Sequence, residues 1–180
     1  MAGSGKGTCT AYISEKYGVP LIHFGNMVYE EVQRRGLDNV RDEKFVREDM
    51  RKQEGPAVLA VHVARKATEA LANGANGAVL DGLYSWSEYK YLRSVFGDKL
   101  IVIAVAAPRA ERYRRVIARK DSHRTYTAAE QIEERDIAEI EGLEKGGPIA
   151  FADYTIVNAG TPEDLLKQLD ATLQEIGFSQ

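Results

Sequence analysis

The sequence predicts an α/β fold built on a largely parallel sheet, and three observations predict it. Short apolar runs, VPLIHF (19–24), AVLDG (78–82), LIVIAVAA (100–107) and YTIVN (154–158), have the length of buried strands. Longer stretches with helical spacing separate them, the alternation that parallel strands with crossover helices require. A glycine-rich segment, MAGSGKGT (1–8), runs directly into the first helical stretch, 5–17.

Each element has a local reason. Helical stretches over 26–36 and 42–72 follow the first strand, and Gly55-Pro56 breaks the second of them. Asn73-Gly74 and Asn76-Gly77 punctuate the approach to AVLDG. Ser85 with Glu88 three residues on is a capping box that starts a helix ending near Gly97. After LIVIAVAA, Pro108 opens the next helix at a first-turn position, where its missing N–H costs nothing. Thr127 with Glu130 predicts a second capping box and a helix to about residue 145. Thr161-Pro162 starts the last helix, whose Leu165, Leu166, Leu169, Leu173 and Ile176 share an apolar face.

The 180 residues suit one domain with a sizeable core. A net charge of −3 gives no overall attraction to nucleic acid or anionic membrane, so neither is expected as a bulk partner. Basic residues cluster locally in RAERYRRVIARK (109–120), which points to an anion site. No apolar run approaches the roughly 18 residues of a membrane span. The single cysteine, Cys9, excludes an internal disulfide and suits a reducing cytosol, so a cytoplasmic location is expected. Cys9 is expected to be buried behind the loop. His23, His62 and His123 lack metal-ligand spacing, and His62 in VLAVHVA reads as a core histidine.

MAGSGKGT is suited to phosphate. Gly3 and Gly5 lack a Cβ, so the backbone can curl and aim successive N–H groups inward. The helix that follows adds the positive end of its dipole, and Lys6 adds a full charge. Gly3, Ser4, Gly5, Lys6, Gly7 and Thr8 are therefore the candidate nucleotide cradle. The phosphate-loop pattern G-x-x-x-x-G-K-[ST] would put its first glycine before Met1, and Gly7 stands where the hydroxyl usually follows the lysine.

The GSGKGT form resembles the adenylate kinase branch of the nucleoside monophosphate kinases, and the resemblance extends over nearly the whole chain. The later residues, with RRGL, DG-x-x-S and ADYTIVN, look closest to adenylate kinase-related and dephospho-coenzyme-A-kinase-like proteins. This resemblance implies a three-layer P-loop NTPase fold with a parallel sheet of order 2-3-1-4-5. It implies one domain over 1–180, with an acceptor-binding region at about 25–72 and a short lid at about 116–135. The central strand that feeds the loop is missing from this sequence, which is expected to leave two half-sheets without shared hydrogen bonds. The natural protein is therefore expected to begin earlier, and a chain starting at Met1 to be poorly stable and to bind nucleotide weakly.

The same resemblance assigns roles. Asp81, at the end of AVLDG, would hold a water on Mg²⁺ bridging the phosphates of ATP, with Thr8 as a further metal contact. Arg115 and Arg119 share a helix face, and Arg124 and Arg135 are spaced as in the kinase lid. With Lys6, these four would stabilise charge on the transferring phosphoryl group, whose oxygens suit planar guanidinium donors. Arg109, Arg112 and Arg114 read as surface. Asn158 and Gly160 in NAGTP match the loop that packs its backbone on adenine.

The acceptor side departs from the pattern. Asn26 and Tyr29 occupy the family's aspartate and arginine positions, and Tyr84 stands where a second acceptor arginine usually lies. A tyrosine stacks and hydrogen-bonds but cannot neutralise a phosphate dianion. Arg34, Arg35 or Arg41 could substitute; alternatively Tyr29 and Tyr84 pack with Trp86, Tyr89 and Tyr91. Tyr29, Arg34, Asp81 and Tyr84 are the acceptor-binding candidates. Three functions stay open: ATP-dependent phosphoryl transfer to a small nucleotide-like acceptor, phosphorylation of dephospho-coenzyme A, and an ATP-binding switch or assembly factor acting on a protein partner.

Overall fold

A computed structural model describes residues 1–39, 41–119 and 126–178. The glycine segment enters α1 (Lys6–Tyr17), followed by β1 (Leu21–His23), α2 (Phe24–Arg34), α3 (Glu43–Glu54) and α4 (Val58–Ala72). Then come β2 (Val79–Asp81), α5 (Trp86–Phe96), β3 (Ile103–Ala106), α6 (Arg109–Ala118) and α7 (Ala129–Leu143). A short α8 (Gly146–Ala150), β4 (Tyr154–Val157) and α9 (Pro162–Glu175) complete the chain.

All four apolar runs form strands, and they pair in parallel as expected. β1 lies on β2 with Leu21 opposite Val79 and His23 opposite Asp81. β3 lies on β4 with Ile103 opposite Tyr154 and Ala106 opposite Val157. The described residues form two separate two-stranded sheets with no ladder joining β2 to β3, the two half-sheets expected of a chain without the central strand; the full order 2-3-1-4-5 is not shown. Side chains join them instead. Val79 of β2 and Ile103 and Val105 of β3 pack on one core with Cys9 and Ile13 of α1 and Leu165, Leu169 and Leu173 of α9. A second core gathers α2, α3, α4 and α5 around Phe24, Val32, Val46, Leu59, Val63 and Leu92.

Local signals were mostly accurate. The Ser85–Glu88 capping box forms, as does a box between Thr161 and Asp164 with Pro162 in the first turn. Helix 42–72 breaks at Gly55-Pro56 into α3 and α4; Gly55 has φ +99°, which favours glycine. The Thr127–Glu130 box does not form. α7 starts one residue later, behind an extended Ala128, and the Thr127 N–H donates to Gln131 Oε1 at 3.0 Å. Pro108 precedes α6 as its cap rather than lying in its first turn. His62 is half-exposed on α4, facing Glu54, rather than in the core. α8 has no counterpart in the sequence reading.

Candidate functional site: the glycine loop and its cation cluster

The loop is shaped by close approaches. Gly5 has φ +100°, and a Cβ there would lie 2.3 Å from Asn158 Nδ2. Gly3 has φ +75°, and a Cβ there would lie 2.5 Å from the Arg112 carbonyl oxygen. Both positions therefore require glycine for conformation and for space. Asn158 Nδ2 donates to the Ser4 carbonyl at 2.9 Å, so the segment after β4 holds the loop from one side. Arg112 holds it from the other, donating to the Ala2 carbonyl at 3.1 Å and to Asp136 at 2.7 Å. Arg112 is thus buried, contrary to its reading as surface, because its guanidinium fastens α6 to both the loop and α7.

α1 begins at Lys6 with no side-chain cap and no acidic residue in its first turn. Gly7 and Thr8 are exposed there. This leaves the amide-rich, positive end of the helix open to an anion. Lys6 forms an ion pair with Asp81, which is buried at the carboxyl end of β2. His23, opposite Asp81 on β1, places Nδ1 3.0 Å from the second carboxylate oxygen. Burial and then the Lys6 charge hold the imidazole below its ordinary value; facing a carboxylate, which only accepts, Nδ1–H is the donor. Burial, then the cations of Lys145 and Arg119, push the Lys6 ammonium down to about 8.

The predicted arginines are partly gathered. Arg115, in the last turn of α6, donates to the Asn158 carbonyl at 3.3 Å. Arg119, just past α6, is exposed but within the electrostatic reach of Lys6. Arg135, in α7, donates to Glu139 at 2.9 Å and to Tyr126 Oη at 3.1 Å. Arg124 lies outside the described residues. Gly160 is exposed before α9, its backbone close to the Asp164 carboxylate. Tyr29 is half-buried on α2. Arg34 ends α2 with its side chain exposed and makes a bidentate pair with Glu31 at 2.6 Å. Tyr84 packs edge-on to Phe24, with ring centroids 6.5 Å apart.

Several participants were missed. Lys145 is buried between α7 and α8, paired with Glu139, with its ammonium 4.6 Å from the Tyr84 ring centroid. His23 and Glu139 were likewise not read as site residues. Only the Gly146-Gly147 pair marks Lys145 in the sequence; Gly147 lets the chain press against Trp86, where a Cβ would meet the ring at 3.0 Å. Cys9 is buried as expected, and burial pushes its thiol up to about 11. At pH 8 about one thiol in a thousand is then ionised. Native protein is expected to react with a thiol-specific disulfide reagent about 100-fold more slowly than urea-unfolded protein. Equal rates would show that Cys9 is open.

A glycine loop at a helix N-terminus, a strand-end carboxylate facing its lysine, and parallel strands with crossover helices define a P-loop NTPase fold. Comparison agrees. The family model for the AAA domain (AAA_17) matches residues 1–133. A UPF0200 protein of Thermococcus kodakarensis is 33% identical over 98% of this chain and 94% of its own length. The UPF0200/UPF0201 protein of Archaeoglobus fulgidus is 32% identical over 96% of this chain, which spans 53% of that relative. The chain belongs to the UPF0200 family, within the AAA domain family of P-loop proteins. Among solved structures, TT1252 of Thermus thermophilus superposes with a TM-score of 0.65 at 23% identity, covering 97% of this chain and 93% of that one. Shikimate kinase of Bacteroides thetaiotaomicron superposes with a TM-score of 0.60 at 12% identity, covering 98% and 94%. The fold is therefore shared with P-loop small-molecule kinases. Among the described residues no helix is long and apolar enough to cross a membrane.

Proposed function

We propose that the chain is an ATP-dependent phosphotransferase that moves the γ-phosphoryl group of ATP to a small nucleotide-like acceptor. The observation that carries this reading is the ion pair of Lys6 with the buried Asp81 carboxylate at the uncapped N-terminus of α1, where the charges of Lys145 and Arg119 also act on Lys6. In it, Lys6 and the N–H groups of Gly3 to Thr8 hold the phosphates, and Asn158 and Gly160 lie on the adenine side. Arg115, Arg119, Arg124 and Arg135 meet the charge that spreads over the phosphoryl oxygens. No side-chain nucleophile is needed; positioning and electrostatics carry the transfer.

Magnesium suits the oxygen donors here. Asp81 offers a hard carboxylate beside the loop and Thr8 a hydroxyl in the first turn of α1, the ligand type Mg²⁺ takes. Among the described residues no group of three or more His, Cys, Asp or Glu side chains could hold a metal by itself. When bound, Mg²⁺ would neutralise phosphate charge; Asp81 would orient its water, and Lys6 would leave Asp81 for the phosphates.

The acceptor side distinguishes the alternatives. Dephospho-coenzyme A offers a hydroxyl, whereas a nucleoside monophosphate offers an anion. A switch acting on a protein is favoured by one observation, the exposed Ile137, Ile140 and Phe151. The test is incubation with Mg²⁺ and γ-labelled ATP against nucleoside monophosphates, dephospho-coenzyme A and shikimate. Label transferred to one acceptor is expected. Slow hydrolysis with no transfer to any of them would favour the switch.

A further inference from the structure

Two Asn-Gly pairs, Asn73-Gly74 and Asn76-Gly77, lie in the loop between α4 and β2. Asn-Gly is open to succinimide formation, because glycine puts no Cβ in the way as its amide nitrogen closes on the asparagine side chain. The fold treats the two pairs differently. Asn73-Gly74 caps the C-terminus of α4: Gly74 has φ +91°, its N–H donates to the Leu71 carbonyl at 3.1 Å, and the Ala75 N–H donates to the Ala70 carbonyl at 3.1 Å. These two bonds are the closure of a Schellman cap. Asn76 is exposed beyond that cap, and among the described residues neither its side-chain amide nor the Gly77 N–H makes a hydrogen bond. Gly77 seats the Phe178 ring, which a Cβ there would meet at 3.0 Å, and Phe178 stands edge-on to Tyr17 of α1 with ring centroids 5.0 Å apart. Just beyond, the Val79 N–H donates to the Pro20 carbonyl at 2.8 Å and opens the β1–β2 ladder that ends at Asp81.

We propose that Asn76 is a modification site of the folded chain, converting without an enzyme to aspartate and isoaspartate while Asn73 is spared. Hydroxide removes the Gly77 amide proton, and the freed nitrogen attacks Asn76 Cγ. A C–N bond forms and closes the succinimide ring; the Cγ–Nδ2 bond breaks, and ammonia leaves with a proton from water. Water then opens the ring. Attack at the side-chain carbonyl gives aspartate; attack at the main-chain carbonyl gives isoaspartate, which routes the backbone through the side chain and lengthens it by a methylene. Nothing is oxidised or reduced. At Asn73 the same reaction must first break the cap, because the bond to Leu71 shields the Gly74 N–H from hydroxide. The product at Asn76 sets a carboxylate and a longer backbone beside the glycine that seats Phe178. Conversion therefore loosens the clasp of Phe178 on Tyr17 and disturbs the entry to β2.

The test is ageing of the folded chain in mildly alkaline buffer, followed by peptide mapping with mass spectrometry. Methylation by a protein isoaspartate methyltransferase distinguishes isoaspartate from aspartate. Native Asn76 is expected to convert about 10-fold faster than Asn73, which must first give up its cap hydrogen bonds. In urea, where the cap is gone, the two rates are expected to agree within about twofold. Fully converted wild type is expected to melt about 3 °C lower than fresh protein, whereas Asn76→Ser, which has no amide to lose, keeps its melting temperature through the same ageing. Equal native rates at the two asparagines, faster conversion at Asn73, or no conversion at either would each overturn the site. An unchanged melting temperature after full conversion would overturn its action on the Phe178 clasp.

Discussion

Lys6→Ala is expected to lower phosphoryl transfer by about 100- to 1,000-fold, the loss of about 3–4 kcal/mol typical when one preorganised charge-stabilising donor is removed. The expectation follows from where the ammonium sits. It lies at the open end of α1, near Lys145 and Arg119, and shares Asp81 with His23. Bringing a triphosphate there replaces one carboxylate partner by several phosphate oxygens, so the charge matters more in the loaded state than in the resting one. The fold should survive, because Asp81 keeps its contact with His23 and Lys6 is only half-buried. Lys6→Arg should not rescue, since a planar fork cannot replace a compact ammonium in this loop. Steady-state kinetics with a melting curve checks both statements. Wild-type turnover in a folded Lys6→Ala protein would remove the loop from the chemistry.

Glu88→Ala is expected to destabilise the chain by about 3–5 kcal/mol, the usual cost of leaving a buried charge without its partner. Glu88 is fully buried yet satisfies three groups, the Arg51 guanidinium and the backbone N–H groups of Tyr84 and Ser85. Removing it strands Arg51, breaks the capping box of α5 and frees the turn that carries Tyr84. For a chain of this size the change corresponds to a fall in melting temperature of about 10 °C. Glu88→Gln can still cap α5 and should lose less. The double variant Arg51→Met with Glu88→Gln should recover stability relative to Glu88→Ala, because it leaves no buried charge unpaired and the amide oxygen can still accept the Tyr84 and Ser85 N–H groups. A single-variant loss below about 1 kcal/mol in urea titrations would show that water reaches Arg51.

The pattern of the chain was legible where signals are local. Strand and helix identities follow from apolar runs and spacing, and the boxes at Ser85 and Thr161 depend on residues three apart. Thr127 misled because Gln131, rather than Glu130, reached back to the backbone. The loop and Asp81 were singled out by type and position, and the structure brings Lys6 and Asp81 together across 75 residues. Arg112 was misread because burial depends on what α7 presents, and Asp136 is 24 residues away.

The sequence by itself determined the alternation of strands and helices, the glycine loop, its lysine and the strand-end carboxylate, since each needs only neighbours along the chain. Tertiary structure decided which cations share a site. Lys145 and Arg135 come to share Glu139 only when α7 and the segment after it close on the turn after β2, with the Lys145 ammonium over the Tyr84 ring. It also decided that side chains of α1 and α9 join the two half-sheets. The reason is that charge acts through space over several ångströms, and burial, which strengthens it, is a property of the packed molecule and of no single segment.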